Sequence, residues 1–117
     1  MRKTAQSILG WALLGVVHLA PAEEGPLSDA ERGLEAVRTK LVQRLDAPAQ
    51  AHFETVQQAW ARYRDAECDF QTRWTEGGSI RPTLLALCRD QLAGERERQL
   101  ARYLECEEGD MTCPPPN

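Results

Sequence analysis

The stretch that decides the fold is residues 57–100, QQAWARYRDAECDFQTRWTEGGSIRPTLLALCRDQLAGERERQL. Two helix-forming segments flank Gly77 and Gly78, which supply the backbone freedom of a turn. Cys68 and Cys88 lie almost symmetrically about that turn, so antiparallel arms bring both cysteines to one level. The stretch therefore predicts a helical hairpin closed by a Cys68–Cys88 disulfide.

A further helix is predicted upstream of the hairpin. Ser28 and Glu31 have the spacing of a capping box, in which each side chain accepts from the other residue's backbone N–H. Asp46 and Pro48 then end this helix and begin the next, as a cap and a first-turn proline. Steps of three and four residues place one apolar stripe along the first helix: Ala30, Leu34, Val37, Leu41 and Leu45.

The chain is expected to be all-α, with three helices and one domain over residues 23–104. Helix 2 is predicted over Pro48–Trp74 and helix 3 over Pro82–Leu104. Residues 105–117 form an acidic tail that ends in three prolines, which favour extended chain. The first helix is expected to cover the apolar face of the disulfide-linked hairpin.

Helical periodicity also predicts which faces of the hairpin are buried. On helix 2 the inward residues are predicted to be Phe53, Val56, Trp60, Tyr63, Phe70 and Trp74, with an exposed binding surface around the tryptophan and tyrosine as the alternative. On helix 3 they are Leu85, Cys88, Leu92, Arg96, Gln99 and Tyr103. The disulfide register places Arg96 opposite Trp60, which predicts a cation–π contact. Glu67 shares the inward face of helix 2 and needs a cationic partner, for which the candidates are Arg89 and Arg64.

The N-terminal residues 1–22 are typical of a cleaved signal peptide. Arg2 and Lys3 precede a 13-residue apolar run, and Ala20-Pro21-Ala22 fits a cleavage site. The apolar run is shorter than the roughly 20 residues of a bilayer span. Cleavage after Ala22 would change the formal charge from −4 to −6, because residues 1–22 contain no acid.

An acidic exported domain is a poor candidate for nucleic-acid binding, which needs basic patches. Its charge favours encounter with a basic partner, although the same charge also simply keeps a small protein soluble. All four cysteines follow the cleavage site, and this even count predicts disulfides in a periplasmic or secreted protein. With Cys68 paired to Cys88, the second pair is Cys106 with Cys113.

Neither catalysis nor cofactor or metal binding is indicated. His52 is the one histidine after the predicted cleavage site, and no nucleophile, zinc-protease or phosphate-loop motif is present. The cysteines are separated by 19 and by six residues within the two pairs, which does not match zinc-knuckle spacing. The two adjacent glycines are typical of a turn rather than a phosphate cradle.

The assembled motif resembles the LprI-like domain of bacterial lysozyme inhibitors, over about Glu31–Leu104. It comprises W-x-x-Y-R-D-x-x-C at Trp60–Cys68, G-G-S-I at Gly77–Ile80, Cys88, and R-x-x-x-L at Arg96–Leu100. The residues that we assign to the family signature or to a structural role in the hairpin are Trp60, Tyr63, Arg64, Asp65, Glu67, Gly77, Gly78, Arg96 and Leu100. The chain departs from the usual pattern in lacking a cysteine before helix 1 and a lipidation cysteine, and in carrying a cysteine pair in its tail.

The resemblance implies an exported binding protein, with a cationic lysozyme as the candidate partner. No stable membrane anchor is expected after signal cleavage, because the apolar run is short and no lipidation cysteine lies near the cleavage site. The alternative is a cell-envelope interaction or stress module without an enzyme target. The candidate partner surface is the acidic cluster of the tail, which in the alternative interpretation is only a solvated surface: Glu105, Glu107, Glu108 and Asp110.

Overall fold

The computed structural model describes residues 25–107 and 109–113. It contains helix α1 over Asp29–Val42, helix α2 over Ala47–Thr72 and helix α3 over Arg81–Leu104, with a short 3-10 turn at Arg73–Thr75. Within the described residues there is no β-strand, so the predicted all-α, three-helix fold is confirmed. The predicted signal peptide, Glu108 and residues 114–117 lie outside the described part of the chain.

The helix starts are set by the predicted caps. The Ser28 hydroxyl accepts from the Glu31 backbone N–H at 3.2 Å, and the Glu31 carboxylate accepts from the Ser28 N–H at 2.9 Å. At the start of α2, the Asp46 carboxylate accepts from the Ala49 N–H at 2.8 Å, with Pro48 in the first turn. Each cap satisfies backbone donors that a helix start leaves without partners.

The hairpin between α2 and α3 closes as predicted. Gly77 has φ +76°, a left-handed conformation that residues with a Cβ rarely adopt. Cys68 and Cys88 form a disulfide with their Cα atoms 5.6 Å apart. This hairpin disulfide (Cys68–Cys88) holds the antiparallel helices in register.

Helix α3 is the centre of the fold, because both α1 and α2 pack against it. One core cluster joins α1 to α3 through four buried residues: Leu34, Leu41, Ala93 and Leu100. A second surrounds the hairpin disulfide and includes Leu92. Trp60 is partly buried and packs against both clusters, so one side chain links α2 to the rest of the core.

The predicted inward face of α2 is wrong for four of its six members. The outward residues form an apolar stripe along α2 and the 3-10 turn that follows it, which we call the α2 stripe: Val56, Tyr63, Phe70 and Trp74. The buried residues of α2 are instead Gln57, Cys68 and Thr72. The hairpin disulfide turns the Cys68 side of α2 toward α3. Since each residue advances about 100° around a helix, Phe70 lies on the opposite side from Cys68.

Candidate functional site

A charged cluster lies on the surface formed by α2 and α3. The Arg64 guanidinium lies over the Trp60 ring, with its Cζ 5.3 Å from the ring centroid. Arg64 also donates from Nε and Nη2 to one Asp65 oxygen, at 3.0 Å each. The Arg89 Nε lies 3.5 Å from the same oxygen, so Asp65 joins cations of both helices. The predicted signature residues Trp60, Arg64 and Asp65 therefore meet in one place.

Two predicted contacts in this region are wrong. The cation over Trp60 is Arg64, and not Arg96 as the register predicted. Glu67 accepts a hydrogen bond from the Gln71 side chain at 2.8 Å, while Asp65 takes the contacts with Arg64 and Arg89. The register was correct at the disulfide, but it says nothing about rotation of each helix about its own axis. As a result Glu67 is half-buried and its side chain bonds within α2 instead of contacting α3.

Arg96 is held in a buried polar pair between α2 and α3. Its guanidinium donates from Nε and Nη2 to the side-chain oxygen (Oε1) of Gln57 at 2.8 and 2.5 Å. It also donates from Nη1 to the side-chain oxygen of Gln99 at 2.5 Å. Only 6% of Arg96 is exposed. Burial lowers the pKa of Arg96, since desolvation penalises the charged form. The inward position of Arg96 was predicted from the sequence, whereas the burial of Gln57 was not, although Gln57 lies three turns before Cys68 on the same face of α2.

The acidic tail forms a small disulfide-closed loop directly after the end of α3. Cys106 and Cys113 form the predicted tail disulfide, with their Cα atoms 5.8 Å apart. The Asp110 carboxylate accepts from the Thr112 N–H at 2.9 Å and from its hydroxyl at 2.7 Å, and these bonds lower the pKa of Asp110.

Three of the four predicted tail carboxylates, those of Glu105, Glu107 and Asp110, are exposed; Glu108 lies outside the described residues. The Arg44 guanidinium donates to the Leu104 carbonyl at 2.7 Å, which ties the loop's base to the end of α1. The use of this loop as a partner surface remains a prediction.

The α2 stripe is a second exposed feature. Tyr63 is 54% exposed, Phe70 73% and Trp74 79%. The Trp74 indole N–H donates to the Gln71 backbone carbonyl at 3.0 Å, which holds the ring against the end of α2. Aromatic residues grouped on one exposed face of a helix are a feature of interaction surfaces. Of the sequence alternatives for Tyr63, the structure agrees with exposure rather than burial in the core.

Other site types find no counterpart in the described part of the chain. Among residues 25–107 and 109–113, no group of three or more histidine, cysteine or acidic side chains could hold a metal ion. No helix within those residues is long and apolar enough to cross a membrane. Gly77 and Gly78 serve the hairpin turn, and a Cβ at Gly78 would lie only 3.1 Å from the Thr75 carbonyl oxygen.

Comparison with known protein families identifies the family of this chain. A family model described as Lysozyme inhibitor LprI matches residues 24–100, which is more than half of the chain. The matched region contains α1, α2, the hairpin disulfide and most of α3, and it ends before the tail disulfide. No curated protein and no solved structure matches significantly.

Proposed function

The chain belongs to the LprI family of lysozyme inhibitors, and we propose that it is an exported, non-enzymatic protein that binds and inhibits a cationic lysozyme. The family match over residues 24–100 is the observation that carries the proposal. The two disulfides fit an oxidising location outside the cytoplasm. The predicted signal peptide would direct export and would then be removed by cleavage after Ala22.

Inhibition would be steric and electrostatic. The chain has a formal charge of −4, and loss of residues 1–22 would make it −6. Opposite charges accelerate encounter, and surface charges are screened beyond about 8 Å at physiological ionic strength. The tail disulfide restrains the segment that carries the tail carboxylates. Less conformational entropy is therefore lost when the segment binds a partner. We propose that this loop is the first contact with the lysozyme.

The test is lysis of cell-wall substrate by several lysozymes, with and without the disulfide-bonded protein at micromolar concentration. We expect inhibition that weakens as salt rises. Failure to slow any of the lysozymes at any salt concentration would exclude the inhibitor function.

A pair of charge-matched variants locates the contact. E105Q/E107Q neutralises two exposed carboxylates of the tail, whereas E76Q/E95Q neutralises two exposed carboxylates of the hairpin. If the tail makes first contact, association of E105Q/E107Q is slower than that of E76Q/E95Q although both carry the same net charge. Equal association rates would place the contact elsewhere.

The α2 stripe favours a second candidate function, an envelope interaction module without an enzyme target. Long-range charge does not account for exposed Phe70 and Trp74, which suit a partner with an apolar surface. This alternative predicts no effect on lysis at any salt concentration. It leads if the inhibition assay fails.

A further inference from the structure

A cavity of about 310 Å³ opens among the three helices, and its lining includes neither the tail carboxylates nor the residues of the α2–α3 charged cluster. Residues of α1, of α2, of α3 and of the α1–α2 connection line it. Most of its walls are apolar, and three polar residues complete the lining: Leu41, Leu45, Ala49, Phe53 and Val56, with His52, Arg96 and Tyr103. Val56 is half-exposed, so the cavity is accessible from solvent.

Arg96 lines this cavity and brings a buried positive charge to its apolar walls. Its hydrogen-bond acceptors are the neutral amides of Gln57 and Gln99. No carboxylate in residues 25–107 and 109–113 forms an ion pair with Arg96, although six ion pairs occur elsewhere in that part of the chain. A buried charge is costly unless an opposite charge accompanies it.

The guanidinium retains capacity for an anion. Arginine carries five N–H donors in a planar fork that matches a carboxylate, and the two amide side chains take three of them. Tyr103, also in the cavity wall, contributes a hydroxyl that can donate to an anion. An apolar cavity with a few polar residues in its wall has the composition of a small-molecule site.

We propose that this cavity binds a small anionic amphiphile, a carboxylate with an aliphatic tail, whose head pairs with Arg96 and whose tail packs against the apolar walls. A volume of about 310 Å³ lies at the small end of ligand pockets, which measure about 300–1,000 Å³. It therefore suits a short-chain carboxylate such as octanoate. This proposal does not rest on lysozyme inhibition, because no carboxylate of the candidate contact in the tail lines the cavity.

The acidic character of the chain makes the test selective. A protein with a formal charge of −4 does not attract anions over long distances, so binding of a carboxylate must come from a local cation. A neutral alcohol of the same length has the same tail but cannot pair with a guanidinium. The comparison of octanoate with 1-octanol therefore isolates the contribution of the head group.

The experiment is an NMR titration of the isotope-labelled, disulfide-bonded protein with sodium octanoate and, separately, with 1-octanol at matched salt. We expect octanoate to shift the signals of Phe53, Tyr103 and the Arg96 Nε–H, and to bind at least about tenfold more tightly than 1-octanol. Equal affinity of the two compounds, shifts confined to other residues, or no binding at millimolar octanoate would each overturn the proposal.

Three variants separate ligand binding from folding. Arg96→Gln removes the charge and should abolish the preference for octanoate, whereas Arg64→Gln makes the same change outside the cavity and should retain it. Val56→Trp fills the cavity from a half-exposed wall and should weaken octanoate binding at least about tenfold without unfolding the protein. Unchanged octanoate binding in a folded Val56→Trp variant would also refute the site, whether or not Arg96→Gln folds.

Discussion

Replacement of Arg96 by alanine tests the buried polar pair that joins α2 to α3. The change removes three hydrogen bonds to the Gln57 and Gln99 carbonyls. Gln57 is 9% exposed, so its carbonyl would be left buried without these donors, which costs about 1–3 kcal/mol. Loss of the packed arginine stem adds to this cost, while relief of the buried charge offsets part of it.

We therefore expect Arg96→Ala to lower the free energy of unfolding by about 2 kcal/mol, in the range of buried-network mutations. For a domain of this size, that corresponds to a decrease in Tm of roughly 8–16 °C. Arg102→Ala is the matched control, because Arg102 is exposed on the same helix and such changes usually stay within about 0.5 kcal/mol. Thermal and urea unfolding, followed by circular dichroism with the disulfides intact, measure both variants.

A double-mutant cycle identifies the partner. If Gln57 is the main acceptor, Gln57→Ala and Arg96→Ala combined should cost less than the sum of the two single changes, with a coupling of about 1 kcal/mol or more. Trp60→Phe should show no such coupling with Arg96, since the cation over Trp60 is Arg64. Equal Tm values for Arg96→Ala and Arg102→Ala, or additive effects of Gln57 and Arg96, would refute the reasoning.

Three further predictions follow from the disulfides, the α2 stripe and the tail loop. Removal of the hairpin disulfide, which closes a 20-residue separation, should cost about 3 kcal/mol in the chain-entropy account, whereas removal of the tail disulfide should leave the hairpin's Tm almost unchanged; calorimetry of the two double-alanine variants decides this. Phe70→Ala should change the unfolding free energy by no more than about 0.5 kcal/mol because the ring is exposed, and a cost of about 3 kcal/mol or more in urea unfolding would show that Phe70 is buried after all. The hydrogen bonds from Thr112 lower the Asp110 pKa in the folded loop, so their stabilisation is present above the unfolded pKa and is lost as pH falls through the folded pKa. NMR titration should find the Asp110 pKa below 3.8, and Thr112→Ala should raise it; a pKa that Thr112→Ala leaves unmoved would contradict the assignment.

Local sequence features predicted the elements and their connections. The Ser28–Glu31 and Asp46 caps act within three residues, so the helix starts could be read without knowledge of the fold. Cys68 and Cys88 lie at nearly equal distances in sequence from the glycine turn. In an antiparallel hairpin such residues face each other, which predicted their pairing. The family motif was likewise visible in the spacing of its residues.

The composition of the candidate site was predicted less completely. The exposed carboxylates of Glu105, Glu107 and Asp110 could be placed in the tail, since they follow the last helix-forming residues. The cavity beside Arg96 could not be predicted, because its walls come from three helices and depend on their packing angles. Burial of Gln57 could not be predicted, because Gln57 lies outside the apolar stripe of α2 and polar residues are ordinarily assigned to the surface.

The sequence by itself determined three helices, the side-chain caps of α1 and α2, the hairpin and both disulfide pairs, because each depends on residues close together in the chain or on symmetric counting about a turn. Only the tertiary structure decided which side of α2 is buried. Apolar periodicity favoured the side that carries Phe70 and Trp74, while the hairpin disulfide turned the opposite side toward α3. Rotation of a helix about its axis is a property of the packed assembly, and it selects Gln57 for Arg96 and Arg64 for Trp60.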